Sequence, residues 1–200
     1  FIEQTPLYKP EAKGYVSQKG HENQSPHALL TVLRHRPCYL LNMADIEIGI
    51  MAHNEAATLD QLLRRITSEP GASRICIVSS GSTDGTDDIA RRWVRQHPRI
   101  RLIVEDKRRG KARAINRFLD TIHPETSAVV LISGDVIPAA GALRHLLTPL
   151  KDPKVKMTGG RPSPMNPPTG WVNRIVHFQW TLLDRIARRR PKLGEMVAFR

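Results

Sequence analysis

The chain has 200 residues, 40% hydrophobic and 25% charged, an ordinary globular composition with room for one sizeable core. No apolar run approaches the roughly 18–20 residues of a membrane span, the longest being Ala128 to Ile132, and two cysteines, Cys38 and Cys76, are too few for a disulfide scaffold or a cysteine zinc site. The net charge of +12 is uneven, with eight Lys/Arg against two Asp/Glu in residues 161–200, a field that attracts phosphates, nucleic acid or anionic lipid heads, or serves only as a solvated face.

Residues 1–42 are polar, carry Pro6, Pro10, Pro26 and Pro37, and hold no sustained period. They read as a flexible tail with a short helix at His27–His35. The chain starts at Phe1 with no basic region and apolar core of a secretory signal, and Met43 is a candidate natural start. A reducing cytosol suits this cysteine usage, and the basic C-terminal part suits contact with the inner face of a membrane.

From residue 45 strand and helix patterns alternate. Ile46–Met51 is a short apolar strand, and Thr58–Ser68 places Leu59, Leu62, Leu63 and Ile66 at helical spacing before Pro70-Gly71 breaks it. Arg74–Ser79 is a second strand, with Cys76 packed inside it. Thr83 or Asp84 can cap the next helix, which carries Asp87 and Asp88 in its first turn and ends near Pro98. Ile100–Glu105 is a third strand, Gly110–Ile122 a helix, Ser127–Ser133 a fourth strand, and Leu143, Leu146 and Leu147 mark another helix. Beyond residue 150 the spacing predicts a strand at Val155–Thr158, a proline-rich loop at Arg161–Gly170, an amphipathic helix at Trp171–Arg190 and a strand at Met196–Phe199. The apolar line of that helix is Trp171, Ile175, Phe178, Leu182 and Ile186. Covering the sheet is the commonest role for such a helix. Forming the acceptor side, or lying on an anionic membrane with Arg185, Arg188, Arg189, Arg190 and Lys192, are the others.

Strand and helix alternating four times imply an α/β fold with a mostly parallel sheet covered on both faces. Such sheets bind ligands at the carboxyl ends of their strands. The segments to search are therefore Ala52–Glu55, Ser79–Asp84, Glu105–Lys111 and Ser133–Pro138, all rich in polar or charged residues. No glycine-rich dinucleotide fingerprint follows the first strand, and Gly110-Lys111 lacks the rest of a phosphate-binding loop. His97, His123, His145 and His177 lack metal-ligand spacing.

Four short motifs stand in order at those strand ends: Ala52-His53-Asn54-Glu55, Gly81-Ser82-Thr83-Asp84-Gly85-Thr86, Gly110-Lys111-Ala112 with Asn116, and Ser133-Gly134-Asp135. Together they resemble the family 2 glycosyltransferases over about residues 46–200. The resemblance implies a GT-A-type, Rossmann-like three-layer sandwich in residues 43–200. It also implies transfer of a sugar, with inversion, from a nucleotide-sugar donor to the hydroxyl of an acceptor glycan or lipid-linked glycan. In that family the first motif borders the nucleobase and ribose, so Ala52, His53, Asn54 and Glu55 are the expected contacts, with His53 where tyrosine is usual. Two acidic residues normally begin the second motif; here Ser79 and Ser80 stand instead, and Ser80 is the expected base contact, leaving the base open. Ser82–Thr86 is expected to be structural. Lys111 resembles the family's lysine near the diphosphate, inside a run of five cations from Lys107 to Arg113. The family's Asp-x-Asp, which holds Mg²⁺ or Mn²⁺, is reduced to Ser133-Gly134-Asp135, so Asp135 is the expected metal ligand. The family's catalytic base lies beyond a strand like Gly194–Arg200 and is expected past Arg200; Glu195 matches only the beginning of that strand.

Three other readings compete. A sugar nucleotidyltransferase on a related fold would carry a glycine-rich loop after strand one. A degenerate, non-catalytic nucleotide-sugar-binding domain would accommodate the serines at three acidic positions. A nucleic-acid module is disfavoured because the cationic run has no interleaved aromatics.

Overall fold

The computed structural model describes residues 45–161, 163–189 and 195–200. The expected tail, its His27–His35 helix and Met43 lie outside the described residues, as do Arg190 and Lys192. The ordered elements are β1 (Ile46–Ala52), α1 (Leu59–Thr67), β2 (Arg74–Ser80), α2 (Thr86–Gln96), β3 (Ile100–Glu105), α3 (Lys111–Leu119), β4 (Ala128–Ser133), α4 (Ala142–Leu147), β5 (Met157–Gly159), α5 (Gly170–Arg189) and β6 (Met196–Phe199). They build one six-stranded sheet in the order β3-β2-β1-β4-β6-β5. The first four strands in that order are parallel; β6 runs antiparallel to β4, and β5 antiparallel to β6. This is the expected mixed α/β architecture with a mostly parallel central sheet.

Because side chains alternate across a strand, β1 feeds two cores at once. Ile46, Ile48 and Ile50 pack under α1, α2 and α4 with Leu59, Leu62, Leu63, Trp93, Leu143 and Leu147. On the opposite face Met51 joins Cys76, Val78, Val129, Ala114 and Phe118 beneath α3. Cys76 is a buried free thiol, and desolvation raises its pKa. Gly49 is required on the α3 face: a Cβ there would sit 2.6 Å from the Phe118 ring.

The most deeply buried charged side chain among the described residues lies within this frame, concealed by its place in an apolar run. Glu47 is 1% exposed on β1. It pairs with Arg74 at 3.1 Å and Arg101 at 2.9 Å, and accepts the His123 N–H at 2.7 Å and the Thr126 hydroxyl at 2.9 Å. A buried carboxylate is tolerated only when so partnered. It ties β1, β2, β3 and the approach to β4 together at the amino edge of the sheet.

Three expectations need correction. The helix after β2 is led by Gly85 at φ 94°, not by Thr83 or Asp84; Asp84 instead accepts the Thr86 N–H at 3.1 Å, two residues on. The strand predicted at Val155–Thr158 is Met157–Gly159, an exposed edge too short to carry a hydropathy pattern. The largest correction concerns α5, which does not cover the sheet. Trp171, Val172, Ile175, Phe178, Leu182 and Ile186 are between 47% and 75% exposed, and no described α5 residue joins either core. Helical periodicity identifies an apolar stripe but not the surface that meets it.

Candidate donor-binding site

The carboxyl ends of β1, β2 and β4 and the start of α3 surround a cleft of about 210 Å³. Its lining includes Ala52, His53, Glu55, Ser80, Arg108, Lys111, Ser133, Asp135 and Glu195. Six of the seven residues singled out in the sequence therefore meet in one place. Asn54 does not. It sits at φ 58°, a left-handed conformation that asparagine tolerates better than most residues. Its Oδ1 accepts the Thr83 N–H at 2.8 Å, and its own N–H reaches Ser82 Oγ at 3.2 Å. The next two amides donate to Thr86 Oγ1 and Asp84 Oδ2 at 2.8 and 2.9 Å. The first loop is thus stitched onto the second, and Ser82–Thr86 is occupied in bracing it.

At one end of the cleft, His53 Nδ1 lies 2.7 Å from the Ser80 carbonyl oxygen. A carbonyl only accepts, so this ring nitrogen carries the proton. Ser80, 5% exposed, donates its hydroxyl to Glu105 Oε2 at 2.7 Å. Ser79 is fully buried and bonds Ser82, so it faces away from the cleft. Gly81 permits the contact between this loop and the next. At φ 63°, any side chain there would strike the Arg108 backbone nitrogen, and the Gly81 N–H donates to the Glu105 carbonyl at 2.8 Å.

At the other end, Lys111 Nζ donates to Ser133 Oγ at 2.5 Å and to Glu195 Oε2 at 3.1 Å, and Ser133 Oγ donates to the same Glu195 oxygen at 2.5 Å. The Ser133 hydrogen bond, then Lys111, hold the Glu195 carboxyl below the usual carboxylate range against a desolvation penalty. Glu195 joins the cleft lining, although the sequence alone places it only at the beginning of the last strand. Because β6 is antiparallel, its beginning lies beside the carboxyl ends of the parallel strands. Reading β6 as inverted was the signal that could have found it.

Between these ends lie Glu55 and Asp135. Burial raises the Glu55 pKa, with Asp135 and Asp84 adding repulsion; the Thr58 hydroxyl, 3.1 Å from Oε2, works in the opposite direction. Thr58 also reaches the Gly134 carbonyl at 2.9 Å. Gly134 lets β4 approach so closely, since a Cβ there would lie 2.9 Å from Glu55 Cγ. Asp135 is exposed, and no described side chain hydrogen-bonds to its carboxylate. Among the described residues no group of three or more His, Cys, Asp or Glu forms a ready metal cage. The donor set nevertheless fits a hard cation, which takes oxygens and often only one or two carboxylates besides phosphate and water. The repulsion that Asp135 exerts on Glu55 has the sign that a cation held by Asp135 would relieve.

The sequence profile described as Glycosyl transferase family 2 matches residues 47–198. The chain belongs to that family. Among curated relatives it is 25% identical over 120 residues to Glycosyltransferase AglE of Haloferax volcanii, covering 58% of this chain and 38% of the relative. It is 36% identical over 72 residues to the succinoglycan biosynthesis protein ExoA of Rhizobium meliloti, covering 35% and 22%. The chain thus spans well under half the length of these relatives. Among solved structures it is similar to the mannosyltransferase PcManGT of Pyrobaculum calidifontis in complex with GDP-Man and Mn²⁺. The TM-score is 0.59 at 25% identity, over 86% of this chain and 50% of that one. The fold of this family 2 member is the GT-A type.

Proposed function

We propose that this chain forms the donor-binding part of an enzyme that moves a sugar from a nucleoside-diphosphate sugar to an acceptor hydroxyl. The observation carrying the reading is the convergence of Lys111, Arg108, Asp135 and Glu55 on one cleft at the carboxyl ends of parallel strands. The diphosphate lies toward Lys111 and Arg108, and the base toward His53 and Ser80. The cleft volume falls below the roughly 300–1,000 Å³ of closed small-molecule sites. It suits the central part of the donor, with the remainder lying along the open rim.

In the reaction, the acceptor hydroxyl gives its proton to a carboxylate base and its oxygen bonds to the anomeric carbon, as that carbon's bond to the diphosphate oxygen breaks and the electron pair leaves with the diphosphate. Negative charge then accumulates on the leaving diphosphate, where Lys111 and Arg108 offset it. Mg²⁺ or Mn²⁺, when bound at Asp135, supplies further charge stabilisation to that leaving group. The mannosyltransferase relative's complex with GDP-Man and Mn²⁺ supports both ligand classes. A cytoplasmic setting at the inner face of a membrane agrees with the exposed apolar stripe of α5 and the neighbouring Arg174 and Arg185. Among the described residues no helix is long and apolar enough to cross a membrane.

Thermal shift of the full chain against UDP-, GDP- and dTDP-sugars, with and without Mn²⁺ and beside Asp135→Ala, tests the reading. One donor at about 100 times its Kd should add roughly 2.7 kcal/mol, dependent on metal and lost in the variant. A well-folded chain that no donor shifts would sink it.

A further inference from the structure

The end of β2 carries two neutral hydroxyls, Ser79 and Ser80, and a carboxylate reaches it from the neighbouring strand. Ser80 and Glu105 are register partners at the ends of parallel β2 and β3. Glu105 has a side chain only 8% exposed. One of its oxygens accepts the Ser80 hydroxyl at 2.7 Å, and the other faces Arg113 Nε at 3.5 Å. We infer that Glu105 is a specificity-determining positioning residue: by holding the Ser80 proton, it makes the Ser80 oxygen a pure acceptor that selects nucleobases with a ring N–H at their pairing edge.

The inference rests on the proposed placement of the base toward His53 and Ser80. A serine hydroxyl has one proton and two lone pairs. Turning that proton toward a ligand would strip a buried carboxylate oxygen of its partner, a loss that outweighs one ordinary hydrogen bond. The proton therefore stays on the Glu105 side, and the carboxylate makes the hydroxyl oxygen a stronger acceptor. One lone pair faces the Arg109 N–H at 3.4 Å, and the other remains for the ligand. His53 reinforces the choice. Its Nδ1 proton is spent on the Ser80 carbonyl, and in the tautomer that carries the proton there Nε2 is an acceptor. Two acceptors at one end of the cleft favour uracil, thymine or guanine, which present a ring N–H. They disfavour cytosine and adenine, which present a ring acceptor in its place. Glu105 does not line the cleft itself.

Matched nucleoside diphosphates test this on the full chain, because UDP against CDP, and GDP against ADP, hold the diphosphate constant. Calorimetric Kd values should favour the N–H member of the tighter-binding pair by about ten- to a hundredfold, the scale of one unpaired buried polar group. Glu105→Gln should collapse that ratio toward one, because its amide can donate to Ser80 and free the serine proton to turn. The double variant Ser80→Asp with Glu105→Gln should restore the ratio, because a carboxylate then stands directly at the acceptor position. A purely structural role for Glu105 would weaken both members of a pair equally and leave the ratio unchanged, and that result overturns the inference. If Glu105→Gln fails to fold, the double variant decides: preserved discrimination supports the acceptor argument, and its loss in a folded protein refutes it. Binding of none of the four diphosphates to the wild-type chain refutes the donor-site reading itself. Equal binding within each pair refutes only the role of Glu105.

Discussion

Strands β1 to β4 and strands β5 and β6 share one sheet but treat their side chains differently. All seven residues of β1 are buried, and helices close both faces of the parallel part. In β5 Met157 and Gly159 are exposed, and α5, lying between β5 and β6 in the chain, presents its apolar stripe outward. The parallel part supplies the stability of the domain. The antiparallel part adds a smaller share, Met196 and Ala198 of β6 to one core, and its reversed strand carries Glu195 to the cleft. Inverting one strand beside a parallel sheet thus adds a carboxylate to the cleft lining without disturbing the packed frame.

The contrast can be tested in stability measurements. Glu47→Ala should show the largest effect, about 3–5 kcal/mol in denaturant unfolding, because it strands Arg74 and Arg101 and opens a polar void at the amino edge. Gly49→Ala should cost about 1–3 kcal/mol, since the added methyl meets a Phe118 ring locked in the core. Replacing Phe178 and Trp171 together by serine should change stability by only about 0.5 kcal/mol or less. The same replacements should reduce sedimentation with anionic vesicles if α5 is a lipid-facing element. A loss of several kcal/mol on their replacement would instead mean that the stripe is buried and that the two halves are alike.

A smaller, opposed pair of effects concerns pH. Glu195 has a folded pKa below its unfolded value, so its contribution is present above about pH 4.5 and is lost as pH falls through the lower folded value. Glu55 has a raised folded pKa, so it favours folding while protonated in both states. That contribution is lost as pH rises from its unfolded value through the raised one. Melting curves between about pH 3 and 7 should therefore show Glu195→Gln flattening the acid limb and Glu55→Gln lifting the neutral side. Both shifts should be small, because the Lys111–Glu195 pair is 52% and 43% exposed. Mn²⁺ should reduce the Glu55 effect, and an unchanged Glu55 titration at saturating Mn²⁺ would argue against a cation beside Asp135.

The frame was readable in the sequence because apolar runs such as Ile46–Ile50 and Ala128–Ile132 can hardly be anything but buried strands. The cleft was readable as far as parallel strands direct their following loops to one edge, which gathered His53, Glu55, Ser80, Lys111 and Asp135. The remainder depended on facts that spacing does not encode. Strand direction decided Glu195. A backbone twist at Asn54 turned an expected contact into a brace. A neighbouring strand's register decided that Glu105 stands behind Ser80. The cover of α5 is a property of whatever surface meets the helix, which its own residues cannot specify.

The seam at Gly81 also bears on rates. The end of β2 and the cationic loop are joined by the Gly81 N–H on the Glu105 carbonyl and by the Arg109 N–H on the Ser80 hydroxyl, so a swing of either over a ligand would have to break both bonds. If those bonds persist, the cationic loop from Lys107 to Lys111 acts as a fixed wall rather than a flap. Nucleotide capture from this side should proceed in a single bimolecular step, its rate set by diffusion and by the pull of the positive field. In stopped flow the observed rate should climb linearly with nucleotide concentration, without a plateau, and fall as salt screens the field.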